Sequence, residues 1–420
     1  MPATSDHHPS LDSALARDAR DGLAPLRDSF ALPEGVIYLD GNSLGALPRH
    51  LAARVATTLE DDWGRGLIRS WNDAGWIDLP ARLGARIAPL IGAAPDCVIA
   101  ADSTTVNLFK TLSAALALRP RRRRIVTETR NFPTDNYIAE GVIRQCGGRH
   151  ELVHAADEAA VTAALDTDTA VLMLSHVNYR DGAVHDMAGL TRAAHDVGAL
   201  VIWDLAHSAG VLPLDLAGCD VDFAVGCGYK FLNGGPGAPA FLYAAARHHG
   251  GFAQPLSGWF GHADPFGFDP HYRPADGIDQ YLCGTPPVIS MIALEAALEI
   301  WETIDLRAVH AKAQALTDFF IELVESRCAG HGLTLVSPRD AARRGAQVSL
   351  SHPAAGYAII SALIADGVIG DFRAPDILRF GFAPLYTRFA DVWHAVDRLA
   401  AILDGRLWDR PDFHARRIVT

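Results

Sequence analysis

The sequence predicts an α/β protein, with a mainly parallel sheet in a large domain and a smaller α/β domain beside it. Between residues 96 and 243 short apolar runs alternate with amphipathic helical stretches, the pattern of βαβ units whose sheet is covered on both faces. From about residue 290 a long helical stretch leads into a second, smaller set of alternating runs. At a prior of roughly 150 residues per domain, the 420 residues divide into an N-terminal arm with part of the small domain (1–48), a large domain (49–290) and a C-terminal small domain (291–420).

Residues 1–30 are polar and Ala-rich, with a helix expected over Leu11–Leu26 on a surface arm and His7 and His8 in a tail. VIYLDGNSLGALP (36–48) reads as a short strand, a turn at Asp40–Asn42 and a helix entry beyond Pro48. From 49 to 90 the pattern is helical, interrupted by the Trp-rich SWNDAGWIDLP (70–80), either an anchored connection or a pocket wall. DCVIAADSTTVNLFKTLSAALAL (96–118) is a strand that breaks at Asp102–Ser103 into a helix. Ser103, Thr104 and Thr105 therefore fall at a helix N-terminus, as simple caps or as a phosphate cradle. RRIVTETRNFPTDNYIAEGVIRQ gives a strand, a turn at Asn131–Pro133 and a helix; ELVHA (151–155) and two runs between 169 and 204 give further strands. After the irregular 255–287 stretch, strands are expected at 333–337, 346–351 and 376–382, with helices over 357–366 and 389–403.

Composition excludes several classes. The formal net charge of −12 disfavours general binding to nucleic acid or anionic membrane. The basic run Arg121–Arg124 reads as a solvated cluster at a helix end. Six scattered cysteines without a CxxC fit free thiols in a reducing cytoplasm, and no histidine spacing suggests a metal. No apolar run reaches the ~18 residues of a membrane span, and the N-terminus lacks a signal-peptide core, so a soluble cytoplasmic protein is expected.

Chemistry concentrates in residues 203–243. Asp204 closes the apolar strand LVIWD, and Lys230, the only lysine between Lys110 and Lys312, follows the next strand in the glycine-rich GCGYKFLNGGPG. A buried carboxylate is costly without a cation to pair with. An acid at one strand end and a lysine just after the next suit pyridoxal 5'-phosphate (PLP), whose aldehyde takes a lysine and whose ring nitrogen takes an acid. Ser103–Thr105, Phe132–Asp135, Ser175, Asp204 and Tyr229–Lys230 all fall just past an apolar strand, where ligands of such sheets collect. No dinucleotide-binding or Walker A fingerprint competes.

The ordered motifs LDGNSLG (39–45), GWID (75–78), STTVNLF (103–109), NFPTDNY (131–137), WDLAHSAG (203–210), GCGYKFLNGGPG (226–237), GWFGH (258–262), GTPP (284–287) and RFGFAPLYT (379–387) resemble the kynureninase family over nearly the whole chain. The resemblance implies a PLP-dependent transferase fold of type I and the hydrolysis of L-kynurenine to anthranilate and L-alanine in tryptophan catabolism, with weaker action on 3-hydroxykynurenine. It implies that Lys230 carries PLP, that Asp204 pairs with the ring nitrogen, that His207 supports the same pocket, that Phe132 stacks on the ring and that Asp135 lies close by. Thr104, Thr105, Ser175, Tyr229, Trp259 and Thr285 would complete the cofactor site, Trp259 and Thr285 reaching across a homodimer whose active sites are shared. Arg379 would bind the substrate carboxylate, with Trp71 and Thr285 near its ring. Tyr229 would act as general acid and base, its pKa lowered by a cationic neighbourhood. Cysteine desulfurases resemble the same fold but stack a histidine where this chain has Phe132. Aminotransfer or β-elimination on the same fold, and a PLP-fold protein without turnover, are the alternatives.

Overall fold

The computed structural model describes residues 9–252 and 254–417, so His7 and His8 lie outside the described residues. The chain divides into two compact units: one of residues 50–179 and 185–303, the other of the described residues up to 49, 180–184 and those from 304.

In the second unit the N-terminal helix is shorter than expected. α1 (Leu11–Asp18) starts on a reciprocal Ser10–Ser13 cap. It stops before Asp21, which accepts from the Leu23 N–H and meets the buried Lys312 ammonium at 2.6 Å; a separate 3₁₀ turn then covers Ala24–Ser29. Nor is the segment a surface arm. Ala14 is fully buried, and the Asp18 carboxylate accepts from the Phe389 and Ala390 N–H groups at 2.7 and 2.9 Å, capping a helix from the far end of the chain. β1 (Ile37–Tyr38) follows, and the Asp40 carbonyl accepts from the Ser43 and Leu44 N–H groups in the expected turn.

The large unit opens with α2 (Leu51–Thr57), a wide π-helical segment over 58–66, α3 (Ser70–Asp73) and α4 (Leu79–Ile87). The Trp-rich stretch thus contains a short helix. Strands and helices then alternate as the sequence predicts: β2 (Val98–Ala100), α5 (Thr104–Leu118), β3 (Arg124–Glu128), α6 (Pro133–Gln145), β4 (Glu151–Ala155), α7 (Glu158–Ala164), β5 (Thr169–Ser175), α8 (Met187–Asp196), β6 (Leu200–Asp204), β7 (Phe223–Cys227) and β8 (Ala240–Ala244). Among the described residues they form a seven-stranded sheet in the order β2-β8-β7-β6-β5-β3-β4, parallel except where β8 runs against both neighbours. β5 to β8 are buried along their whole length, which is why they read as unbroken apolar runs. Register places Ser175 directly beside Asp204 at the carboxyl end.

The long helix expected from about 290 is two helices, α9 (Val288–Glu299) and α10 (Leu306–Arg327). The break is a new start: the Asp305 side chain accepts from the Arg307 N–H and caps α10. Within the small unit follow β9 (Thr334–Leu335), β10 (Gln347–Ser351), α11 (Gly356–Ala365), β11 (Val368–Ile369), β12 (Asp371–Arg373), β13 (Ile377–Gly381), α12 (Phe389–Asp404) and α13 (Pro411–His414). Four of these strands make an antiparallel sheet, β12-β13-β10-β9, while β11 pairs in parallel with β1. Phe319, Phe320, Ile359, Phe380 and Val396 fill its core. No helix among the described residues is long and apolar enough to cross a membrane.

Candidate active site

At the carboxyl ends of β2, β3, β5, β6 and β7 the large unit encloses a cavity of about 240 Å³. Thr104 and Thr105 enter it from the first turn of α5, whose N-terminal N–H groups are capped by Ser103 Oγ accepting from Val106 N at 3.3 Å. The capping reading of Ser103 is therefore observed, and the two threonines beside it remain on the wall. Phe132 and Asp135 come from the start of α6, Ser175 from β5, Asp204 and His207 from β6 and its turn, and Tyr229 and Lys230 from the turn after β7. Thr134, inside the Phe132–Asp135 strand-end stretch, and Tyr179, which no sequence signal marked, line it too; the Tyr179 ring meets Phe132 edge-on at 5.1 Å.

Two buried carboxylates share this cavity. Asp135 Oδ2 accepts from Asn131 Nδ2 at 3.2 Å and Ser175 Oγ at 3.3 Å, while Oδ1 is buried without a partner. Burial, and then the charge of Asp204, push the Asp135 carboxyl well above the usual range. Burial also raises Asp204, against the pull of Lys230 and of the Ala206 N–H that donates to its Oδ1 at 2.8 Å. Lys230 Nζ stands 6.0 Å from the centre of the Phe132 ring and 5.9 Å from that of Tyr229. Two acids and one lysine around an aromatic face leave room for a second cation, and a protonated pyridine nitrogen is of that kind. The residues fit PLP.

One of the glycines around Lys230 is required by the chain itself. A Cβ on Gly228 would lie 2.6 Å from the Pro239 carbonyl oxygen, so the turn that presents Lys230 closes only with glycine there. Tyr229 departs from expectation. No cation dominates its surroundings; burial, followed by the Cys227 thiol and Asp204, raises its pKa and keeps the phenol protonated.

Other expected site residues lie elsewhere. Trp259 is 42% exposed, stacks with Phe268 and meets Phe260 and Phe266 edge-on; Phe260 in turn packs on Trp71 at 5.8 Å, and Thr285 is exposed in a loop. None of the three lines the Lys230 cavity of this chain. Arg379 belongs to the small unit, buried on β13, where Nε donates to Asp371 Oδ1 at 2.7 Å and Nη2 donates to Asp371 Oδ2 and to Ser43 Oγ. Asp371, its cross-strand neighbour in β12, escaped sequence reasoning because a three-residue strand has no readable period.

Asp40 lies in the same cluster. Burial and then the Asp371 charge push its carboxyl up to about 7, outweighing Arg379. Its folded value exceeds the ordinary value near 4, so its contribution to stability is full below about pH 4 and is lost as pH rises through about 7. An Asp40→Asn variant should melt about 2–4 °C above the parent at pH 8, with the gap closing at pH 5; thermal unfolding at both pH values checks this.

Against known proteins, residues 309–399 match the family model for the kynureninase C-terminal domain. Kynureninase from Burkholderia mallei (strain SAVP1) is 55% identical over 413 residues, 97% of this chain and 99% of that protein; kynureninase from Pseudomonas fluorescens is 54% identical over 415 residues at the same coverage. The chain belongs to the kynureninase family. As a family member it is a PLP-dependent hydrolase. Solved structures share the fold at low identity: apo cysteine desulfurase from Thermococcus onnurineus NA1 (TM-score 0.77, 19% identity, 91% of this chain and 98% of that one) and a C-DES mutant with glycine covalently linked to the PLP cofactor (0.77, 18%, 89% and 98%). These likenesses place the kynureninase-family chain in fold type I.

Proposed function

We propose that the protein hydrolyses L-kynurenine to anthranilate and L-alanine, cleaving the Cβ–Cγ bond, with weaker action on 3-hydroxykynurenine. The reading is carried by the cavity in which Lys230, Tyr229, Phe132 and two buried carboxylates converge, in a chain 55% identical to kynureninases. PLP, when bound, supplies an electron sink for bonds at the substrate's α- and β-carbons. Lys230 binds the cofactor and moves the proton at the substrate α-carbon. Asp204 holds the ring-nitrogen end, His207 supports the same pocket, Phe132 covers the ring face with Asp135 beside it, and Ser175 with the α5 start at Thr104 and Thr105 holds the rest. Tyr229, protonated at rest, gives its proton to the β-carbon expelled when the hydrated γ-carbonyl collapses, and takes one back from that hydrate as the carboxyl group forms.

Arg379 takes the substrate carboxylate through a fork that Asp371 orients. An Asp371→Asn variant should raise KM for kynurenine about 10-fold with little change in kcat; an unchanged KM would remove Asp371 from this role. The reading extends to a homodimer in the cytoplasm, in which Trp259, Thr285 and Trp71 line a site shared between copies, and to a cofactor-holding large domain over 49–290. The test is an assay of PLP-loaded protein with kynurenine, 3-hydroxykynurenine, cysteine and serine. Anthranilate fluorescence from kynurenine is expected, and its absence alongside turnover of cysteine or serine would sink the proposal.

A further inference from the structure

The run Arg121–Arg124, read from sequence as a solvated helix-end cluster, borders a cavity of about 610 Å³ in the large unit. Arg121, Arg122, Arg123 and Arg149 line it, while Arg124 pairs with Asp166 instead. Three of the four are held by neutral backbone. Arg122 Nη1 donates to the carbonyls of Thr169 and Val197 at 2.8 and 2.7 Å, Arg123 Nε to that of Arg149 at 3.2 Å, and Arg149 Nε to that of Cys146 at 3.1 Å. Asp168 accepts from the Arg123 backbone N–H at 3.1 Å, not from its guanidinium. Among the described residues none of the four guanidiniums is in an ion pair.

The bland account is helix-end neutralisation, since α5 and α6 both finish at this cavity. Two helix C-termini supply about −0.5 charge each, roughly one negative charge against four positive ones. The excess stands on a protein of net charge −12. The lining also has an apolar part, with Leu116 and Val142 buried and Pro120 and Pro255 exposed. The volume falls in the range of about 300–1,000 Å³ typical of small-molecule sites.

We propose that this cavity binds a small phosphate ester, its phosphate held by the guanidiniums and its apolar body lying against Leu116 and Val142. A phosphate group presents three oxygens at close to two negative charges and engages several arginine forks at once. A monocarboxylate satisfies one fork and leaves the others uncompensated. The site is distinct from the Lys230 cavity: α5 and α6 start at that cavity and end at this one, 15 and 13 residues on, about 20 Å at 1.5 Å per residue.

Titration calorimetry on PLP-saturated protein, with the cofactor's own phosphate site filled, tests the proposal using phenyl phosphate, inorganic phosphate and benzoate. Phenyl phosphate should bind about 10-fold tighter than inorganic phosphate, because the ring is buried, and also tighter than benzoate. The triple variant Arg121→Gln, Arg123→Gln, Arg149→Gln should weaken phenyl phosphate at least about 10-fold. Arg121→Gln alone, at an exposed side chain, should weaken it about 3-fold and guards against misfolding of the triple variant. Absence of heat at millimolar phenyl phosphate, equal binding of benzoate, or affinity unchanged in both variants would overturn the proposal.

Discussion

A Lys230→Ala variant should lose anthranilate production by at least about 10⁴-fold, the combined loss of a covalent anchor and of a proton carrier. Its position gives the reason. Lys230 leaves β7 on a turn that needs glycine at 228 and faces the Phe132 ring in a cavity with two buried acids. Alanine keeps the turn's backbone and Cβ and removes the amine with the methylenes that carry it, so fold and loss of function can be read apart. Matched circular dichroism with retained activity in anthranilate fluorescence would show that another group performs both tasks.

Asp204→Asn should be the second largest effect, about 10²- to 10³-fold in kcat. Removing one partner of a buried charge pair costs about 3–5 kcal/mol, and the asparagine amide cannot hold a proton on a ring nitrogen opposite it. The Ala206 N–H that now donates to Asp204 Oδ1 can still donate to the asparagine oxygen, so the turn after β6 should persist. If kcat changed by less than about 3-fold, the acid that matters would be Asp135, whose Oδ1 is buried without a partner.

The βαβ alternation from 96 to 244 was legible because its strands are buried on both faces and read as solid apolar runs, and strand ends then named the cavity residues. What escaped depended mostly on contacts distant in sequence. Asp371 sits on a three-residue strand and is recognisable only through its cross-strand partner Arg379. The split between α9 and α10 carried one local sign, Asp305 as a cap, overruled by the helical pattern on either side. The direction of Tyr229's pKa shift followed from burial, which a sequence does not display. Trp71 and Trp259 were expected at the site, yet within one chain they join each other through Phe260.

The N-terminal segment sets an order of assembly during synthesis. Asp18 caps a helix that begins at Phe389, and Asp21 pairs with Lys312, so this segment waits for residues translated long after it. The stretch from 50 to 303 holds the whole seven-stranded sheet and can close as soon as it emerges. Nascent chains halted after residue 303 should therefore carry a protease-resistant sheet with a cleavable N-terminal tail, and the tail should gain protection only once α12 has been made.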